Sequence, residues 1–167
     1  MAQASTDDRY PIGTFVSAGD TSPAGRDAAI ADIAALPSRL RAAVAGLSDE
    51  QLATPYRDGG WTVHQLVHHV ADSHMNAYVR FKLALTEDEP VIKPYDEAVW
   101  ANLTDTKVLP IQVSLDLLDA LHTRWVALLR GMSDADFARA YFHPESKRAV
   151  PLREALGLYA WHGKHHT

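Results

Sequence analysis

Hydrophobic residues recur at helical spacing in four long segments of the chain. The clearest segment follows Gly60 and Trp61, where apolar residues repeat at i, i+3, i+4 and i+7. They are Val63, Leu66, Val67, Val70, Ala77, Tyr78 and Phe81. This pattern predicts a helix from Thr62 to about Leu85. Thr62 and Gln65 have the spacing of a capping box, which marks where this helix begins.

The other three apolar patterns predict three further long helices. They run from Pro23 to Gly46, from Ser114 to Gly131, and from Pro151 to the end of the chain. Ser22 before Pro23 has the composition of a helix start. Pro37 is expected to kink the first of these helices or to split it.

The segments between these helices predict one domain, residues 1–167, with a short irregular arm over residues 1–22. Short helices are expected at 48–52 and 96–103, and residues 133–150 are expected to form a polar connection. No segment alternates clearly between apolar and polar residues, which would indicate a strand. The pattern therefore predicts an all-α fold, a four-helix bundle with long connecting loops, whose sites are built from side chains facing the bundle core.

Composition narrows the possible chemistry. The 167 residues carry a net charge of -5 and no basic cluster, which argues against binding to nucleic acid. There is no cysteine, so a metal would have to be held by histidine and carboxylate side chains, and a thiol nucleophile would have to be a second substrate. Neither a signal peptide nor a membrane-spanning run is recognisable, and a cytoplasmic location is expected.

Two of the nine histidines share the buried face of the last predicted helix. His162 and His166 lie about 40° apart around the helix axis, on the face that holds Tyr159, whereas His165 lies about 100° from His166, on the flank. Two imidazoles one turn apart can bind one metal ion. A solvated helix end with singly hydrogen-bonded histidines is the alternative.

A third ligand would have to come from another helix, and the helix at 62–85 offers four histidines. His64 and His68 project away from the centre of its apolar stripe and are expected at the surface. His74 lies within the stripe, as a residue hydrogen-bonded to backbone or carboxylate or as a ligand. His69 heads a polar row completed by Ser73, Asn76 and Arg80. This row indicates either a wet internal cavity or a boundary with solvent. His122 and His143 are further candidates.

Three histidines from two helices would leave a coordination position open. Zinc held in this way lowers the pKa of a bound water to about 7 and would equally stabilise a thiolate. Arg80 could pair with an anionic group of a substrate or with a carboxylate of the protein. Candidate general bases, or hydrogen-bond partners of the ligands, are Asp72, His74, Asp96 and Glu97.

Four segments together resemble the YfiT-like branch of the DinB superfamily: residues 9–13, 59–74, 80–100 and 159–166. The resemblance covers nearly the whole chain. It implies a four-helix bundle that binds one zinc or nickel ion through one histidine of the second long helix and two of the last. In that family the first ligand follows a Trp-Ser/Thr helix start by eight residues, which gives His69, and the other two correspond to His162 and His166.

The resemblance also implies function. Family members are described as metal-dependent hydrolases, and relatives include enzymes that transfer bacillithiol, mycothiol or glutathione. The expected partner is thus a small molecule, and many family members are homodimers. A non-catalytic, stress-related metal-binding bundle is a third possibility. Family chains continue past the two terminal histidines, so a truncation after Thr167 is expected here.

Overall fold

Eight helices and one short hairpin make up the part of the chain that the computed structural model describes, residues 9–17 and 22–167. The helices are α1 (Pro23–Ala43), α2 (Asp49–Leu52), α3 (Val63–Thr86), α4 (Glu97–Trp100), α5 (Thr104–Val108), α6 (Ile111–Arg130), α7 (Asp134–Ala138) and α8 (Leu152–His165), and the strands are β1 (Ala140–His143) and β2 (Arg148–Pro151). The prediction of a four-helix bundle is confirmed, with α1, α3, α6 and α8 as its long helices. The predicted arm lies in part outside the described residues.

Helices α1 and α3 begin where their capping residues predict. Ser22 Oγ accepts a hydrogen bond from the Gly25 N–H, and Pro23 follows as the first helical residue. At the start of α3, Thr62 and Gln65 form the expected reciprocal capping box. Of the two outcomes expected at Pro37, a split of α1 is wrong, because the helix continues through this residue, and a kink stays a prediction. The Pro37 ring is buried in the bundle, and this packing offsets the hydrogen bond that a proline removes.

The four long helices are not arranged in chain order. Helix α1 packs against α6 and α8, and α3 packs against the same two helices, so α1 and α3 lie diagonally opposite each other. This order makes α3 and α8 direct neighbours although more than sixty residues separate them in the chain. Side chains from the middle of the chain and from its end can therefore form one site.

The apolar interior consists of two clusters placed one after the other along the bundle. One contains Phe81, Trp125 and Leu156, and the other contains Leu36, Val67 and Leu118. Between them lies a layer of buried histidines that includes His74 and His122, which are 0% and 2% exposed. Buried polar rings in this position need hydrogen-bond partners, since an unpaired buried polar group is costly.

Three sequence-based expectations about this fold are wrong. The segment 133–150 is not a polar connection but holds α7 and most of an antiparallel hairpin, in which Tyr141 pairs with Val150. Helix α6 begins at Ile111 rather than after Ser114, and Leu117 on its expected apolar face is 42% exposed.

Across the described residues, every helix is too short or too polar to cross a membrane.

Candidate metal centre

His69, His162 and His166 come together where α3 meets α8. One ring nitrogen from each residue lies within 4.8 Å of those of the other two. His69 is buried in α3, and His162 lies in the last turn of α8. His166 is the residue that caps α8, and its N–H donates to the carbonyl oxygen of His162 at 3.2 Å. The spacing of one helical turn places both terminal histidines toward α3.

The three rings are packed edge to face around a common point. Ring centroids are 5.5 Å apart for His69 and His162, 5.4 Å for His69 and His166, and 4.5 Å for His162 and His166. Trp61 covers His69 from the other side, with ring centroids 4.5 Å apart. Among the described residues, no hydrogen bond engages the ring of His69 or of His166. Three converging imidazoles with free lone pairs fit a divalent transition metal.

Burial keeps these imidazoles in the neutral form that a metal requires. It lowers the pKa of His69 to about 4. For His166, burial with additional repulsion from His69 and His165 lowers the pKa to about 3. The pKa of His162 is held well below its usual value, mainly by burial and then by its histidine neighbours. A charged ring would be poorly solvated here, so protons compete weakly with a metal.

His162 is hydrogen-bonded to a histidine that lies outside the cluster. Its Nδ1 lies 3.1 Å from His74 Nε2, and His74 Nδ1 lies 3.1 Å from His122 Nε2. The row ends where His122 Nδ1 donates to the carbonyl oxygen of Ile33 at 2.7 Å. His74 is therefore buried as predicted, but its expected partner was wrong. It bonds to two histidines instead of to backbone or carboxylate, because α6 and α8 both pack against α3 at this level.

The residues of the polar row of α3 differ in their contacts. Ser73 is buried; the pKa values of Tyr95 and Tyr159 are raised mainly by burial, and Ser73 opposes both shifts. Arg80 donates to the hydroxyl of Tyr159 at 3.2 Å, and the Tyr159 ring lies 6.0 Å from that of His162. Arg80 is thus connected to the metal cluster by its hydrogen bond to Tyr159, whose ring lies beside His162.

Asn76, the remaining member of the row, donates to the backbone carbonyl of Asp72 at 2.9 Å within its own helix. Asp72 is partly buried, and burial together with the charge of Asp105 raises its pKa to about 6. Asp96 is exposed and caps α4 by accepting from the Val99 N–H. Asp72 therefore keeps its proton to a pH nearer neutrality than an ordinary aspartate does.

The charge of Arg80 acts on the carboxylate of Glu97. Among the described residues, no ion pair within 4.0 Å joins the two side chains. The pKa of Glu97 is raised by desolvation, and Arg80 opposes that shift. The guanidinium of Arg80 accordingly has one neutral hydroxyl as hydrogen-bond partner and a nearby acidic group. These surroundings of Arg80 are compatible with both partners suggested by the sequence, an anionic substrate group and a carboxylate of the protein.

The histidines outside the cluster have separate roles. His68 was expected at the surface, but it is 6% exposed, with Nδ1 2.7 Å from Ser114 Oγ. The early start of α6 covers this side of α3, which is why the expectation was wrong. His64 is partly buried against the carbonyl oxygen of Leu109, at 3.0 Å. His165 stacks on Trp161 on the flank of α8, as predicted.

His143 was also named from the sequence, and it lies in β1, outside the cluster. A cavity of ≈ 350 Å³ borders the cluster at His166 and is lined mainly by apolar groups, among them Ile12, Tyr56 and Leu66. Sequence reasoning missed the contribution of Trp61 as a cover over His69, although this tryptophan was noted as the start of the helix.

Comparison with known proteins agrees with this fold. The sequence profile of the DinB superfamily matches residues 32–167. The chain belongs to the DinB superfamily, and within it to the YfiT-like proteins. A relative from Geobacillus thermodenitrificans, named "Putative metal-dependent hydrolase", is 55% identical over 159 residues, which are 95% of this chain and 89% of the relative. "Putative metal-dependent hydrolase YfiT" of Bacillus subtilis is 51% identical over 94% of this chain and 88% of its own length.

Solved structures give the same result for the fold. The structure of YfiT from Bacillus subtilis, described as "a probable metal-dependent hydrolase with an unusual four-helix bundle topology", matches with a TM-score of 0.93 at 50% identity, covering 96% of this chain and 91% of that one. A mycothiol-dependent maleylpyruvate isomerase matches with a TM-score of 0.63 at 16% identity over 84% of this chain and 60% of that one. At that identity, the second similarity concerns the fold alone.

Proposed function

We propose that this protein is a metal-dependent hydrolase whose single divalent metal, zinc or nickel, is held by His69, His162 and His166. The observation that carries the proposal is the convergence of three neutral imidazole nitrogens within 4.8 Å, with no fourth ligand from the described residues. Such a metal would supply a Lewis acid that lowers the pKa of a bound water to about 7. The names of the close relatives support the same reaction class.

The side chains around the cluster have complementary tasks in this proposal. Arg80, positioned by Tyr159, would bind an anionic group of a small substrate, because a guanidinium pairs well with carboxylates and phosphates. Asp72 would accept a proton near neutral pH, since its pKa is raised to about 6. Trp61 would shield His69 from bulk water. Zinc and nickel are both compatible with imidazole ligands.

The test uses untagged protein that is stripped with a chelator and reloaded with one equivalent of zinc or nickel. Hydrolysis of a panel of chromogenic esters, amides and phosphoesters is measured for the wild type, His69→Ala, His162→Ala and the control His165→Ala. The control removes a histidine of the same helix that lies outside the cluster. We expect metal-dependent turnover in the wild type and in the control, and a loss of at least about 100-fold in the two ligand variants. Equal rates in the wild type and His162→Ala would refute the proposal.

A second candidate is transfer of a low-molecular-weight thiol such as bacillithiol, mycothiol or glutathione. The open position of a three-histidine site would stabilise a thiolate as well as a hydroxide. Because the chain has no cysteine, the thiol would have to come from a second substrate. Loaded protein is mixed with each thiol and an alkylating dye. Thiol consumption above the uncatalysed rate, lost in His162→Ala and kept in His165→Ala, is expected for a transferase. The uncatalysed rate with every thiol would rule this candidate out.

The third candidate, a metal-binding bundle without catalysis, is distinguished by the same measurements. It predicts stoichiometric metal together with no turnover in either assay, and a fourth ligand that closes the coordination sphere. The described residues provide three histidines and no fourth ligand at the cluster. This count favours a site with an open position, which is the arrangement that catalysis needs.

A further inference from the structure

A row of hydrogen bonds crosses the bundle between its two apolar clusters and ends at the candidate metal centre. It runs from the carbonyl oxygen of Ile33 in α1 to His122 in α6, then to His74 in α3, and finally to His162 in α8. The three distances are 2.7, 3.1 and 3.1 Å. All four long helices therefore contribute one group to this row.

The direction of each hydrogen bond follows from the first contact. A backbone carbonyl oxygen can only accept, so Nδ1 of His122 carries a hydrogen and donates to Ile33. A neutral imidazole has one N–H, which leaves a lone pair on His122 Nε2. That lone pair can only be matched by a hydrogen on Nδ1 of His74.

The same step then repeats at the next contact. His74 already uses its hydrogen on Nδ1, so its Nε2 must accept from His162 Nδ1. His162 is left with a hydrogen on Nδ1 and a lone pair on Nε2. The reverse order would place two lone pairs 2.7 Å apart, between His122 Nδ1 and the Ile33 carbonyl. It would also place the hydrogen of His162 on Nε2, the nitrogen that His74 does not engage.

We propose that His74 and His122 are positioning residues that hold His162 in the Nδ1–H tautomer, so that its Nε2 is the atom that binds the metal. Neither residue belongs to the three-histidine cluster. Metal-ligating histidines commonly donate their second N–H to a carbonyl or carboxylate. Here two interposed imidazoles connect the ligand to a backbone carbonyl on the far side of the bundle. The inference rests on the proposed metal site and is independent of the reaction catalysed there.

The first test compares zinc affinity, measured by competition with a chelator, between the wild type and His122→Leu. Leucine removes the acceptor for His74 Nδ1–H, so His74 can reverse its tautomer and donate to His162. We expect affinity to fall by about 10- to 100-fold, although residue 122 does not contact the metal. His122→Gln supplies an amide oxygen as acceptor and should recover most of that loss.

Leu118→Ala is the matched control for packing. Leu118 is fully buried one turn before His122 on α6, and its truncation should weaken the bundle without altering the row of histidines. Zinc affinity of Leu118→Ala should stay within about threefold of the wild type. The proposal is overturned if His122→Leu binds zinc as tightly as Leu118→Ala does.

The second test needs neither a variant nor a metal. Long-range ¹H–¹⁵N spectra of the metal-free wild type report which nitrogen of each imidazole carries the hydrogen. Hydrogens on Nδ1 of His74, His122 and His162 are expected, and a hydrogen on Nε2 of any of them contradicts the proposal. This spectrum also decides the matter if His122→Leu does not fold. If the wild type binds no zinc, the proposed function fails, while the tautomers still test the row by themselves.

Discussion

The ionisation of Asp72 is strongly altered by its surroundings. Burial and the charge of Asp105 raise its pKa from 3.8 to about 6, so the folded protein binds its proton more tightly than the unfolded chain does. The resulting loss of stability of the folded state is small below about pH 4, grows as the pH rises, and is complete above pH 6. Ionised Asp72 therefore lowers the free energy of unfolding at neutral pH.

The variant Asp72→Asn should consequently be more stable than the wild type at pH 7.5. We expect a gain of about 1 kcal/mol in the free energy of unfolding, since partial exposure to solvent reduces the full effect of the shift. Most of this gain should disappear at pH 4. Urea denaturation of both proteins at the two pH values provides the measurement. A gain that is independent of pH would show that the carboxyl group has an ordinary pKa.

At the level of single residues, the sequence predicts orientation within a helix better than contacts between helices. His162 and His166 were assigned to the buried face because Tyr159 fixes that face by helical periodicity. The burial of His68 was missed, because it depends on residues 109–114 covering α3. The contact of His74 with His122 joins positions 48 residues apart. No local pattern contains that information.

At the level of elements, the contact between α1 and α8 depends on Gly163. A Cβ atom at this position would lie 3.2 Å from both terminal methyl carbons of Leu36, which is itself 2% exposed. Gly157, six residues earlier on α8, has Phe15 at 3.7 Å and no other described side chain within 4 Å. The same helix thus offers one glycine that is required by packing and one that is not.

We expect Gly163→Ala to lower the free energy of unfolding by about 1 kcal/mol, because overpacking against Leu36 exceeds the gain in helix propensity. Gly157→Ala is the matched control and should raise it by about 0.5 to 1 kcal/mol. Chemical denaturation of the three metal-free proteins checks both signs. If both variants are stabilised equally, Leu36 does not fix the approach of α8.

The hairpin formed by β1 and β2 was not predictable from the local sequence. Strands β1 and β2 have four residues each, too few for an alternating pattern to be distinguished from a loop. Their pairing is reinforced by contacts from outside the local segment. Phe142 exchanges backbone hydrogen bonds with Pro90 and Ile92 in the connection after α3. By contrast, α3 was predicted almost completely, since its cap and its stripe are both local.

For the whole molecule, the diagonal placement of α1 and α3 means that a metal bound at the proposed site would link the middle and the end of the chain. A metal that binds only the folded state stabilises it by mass action. Zinc in excess of its dissociation constant by 100-fold should add about 2.7 kcal/mol to the free energy of unfolding. For a chain of this length, the melting temperature should rise by roughly 5 to 10 °C.

Thermal unfolding followed by circular dichroism, with and without zinc, tests this linkage. His162→Ala should lose the zinc-dependent rise, whereas His165→Ala should keep it. An equal rise in the wild type and in His162→Ala would place the bound zinc elsewhere on the protein. The order of the helices itself was not predictable from the sequence, because amphipathic stripes specify that helices pack but not which ones are neighbours.

The position of a bound metal decides whether His69, His162 and His166 form the proposed site. A crystal of the zinc-loaded protein is measured at the zinc absorption edge, and the anomalous difference map is calculated. The proposed site requires one peak per chain, about 2.0–2.1 Å from a ring nitrogen of His69, His162 and His166, with Nε2 as the ligating atom of His162 and one position open to solvent. A peak at other residues, or a fourth protein ligand that closes the coordination sphere, would contradict it.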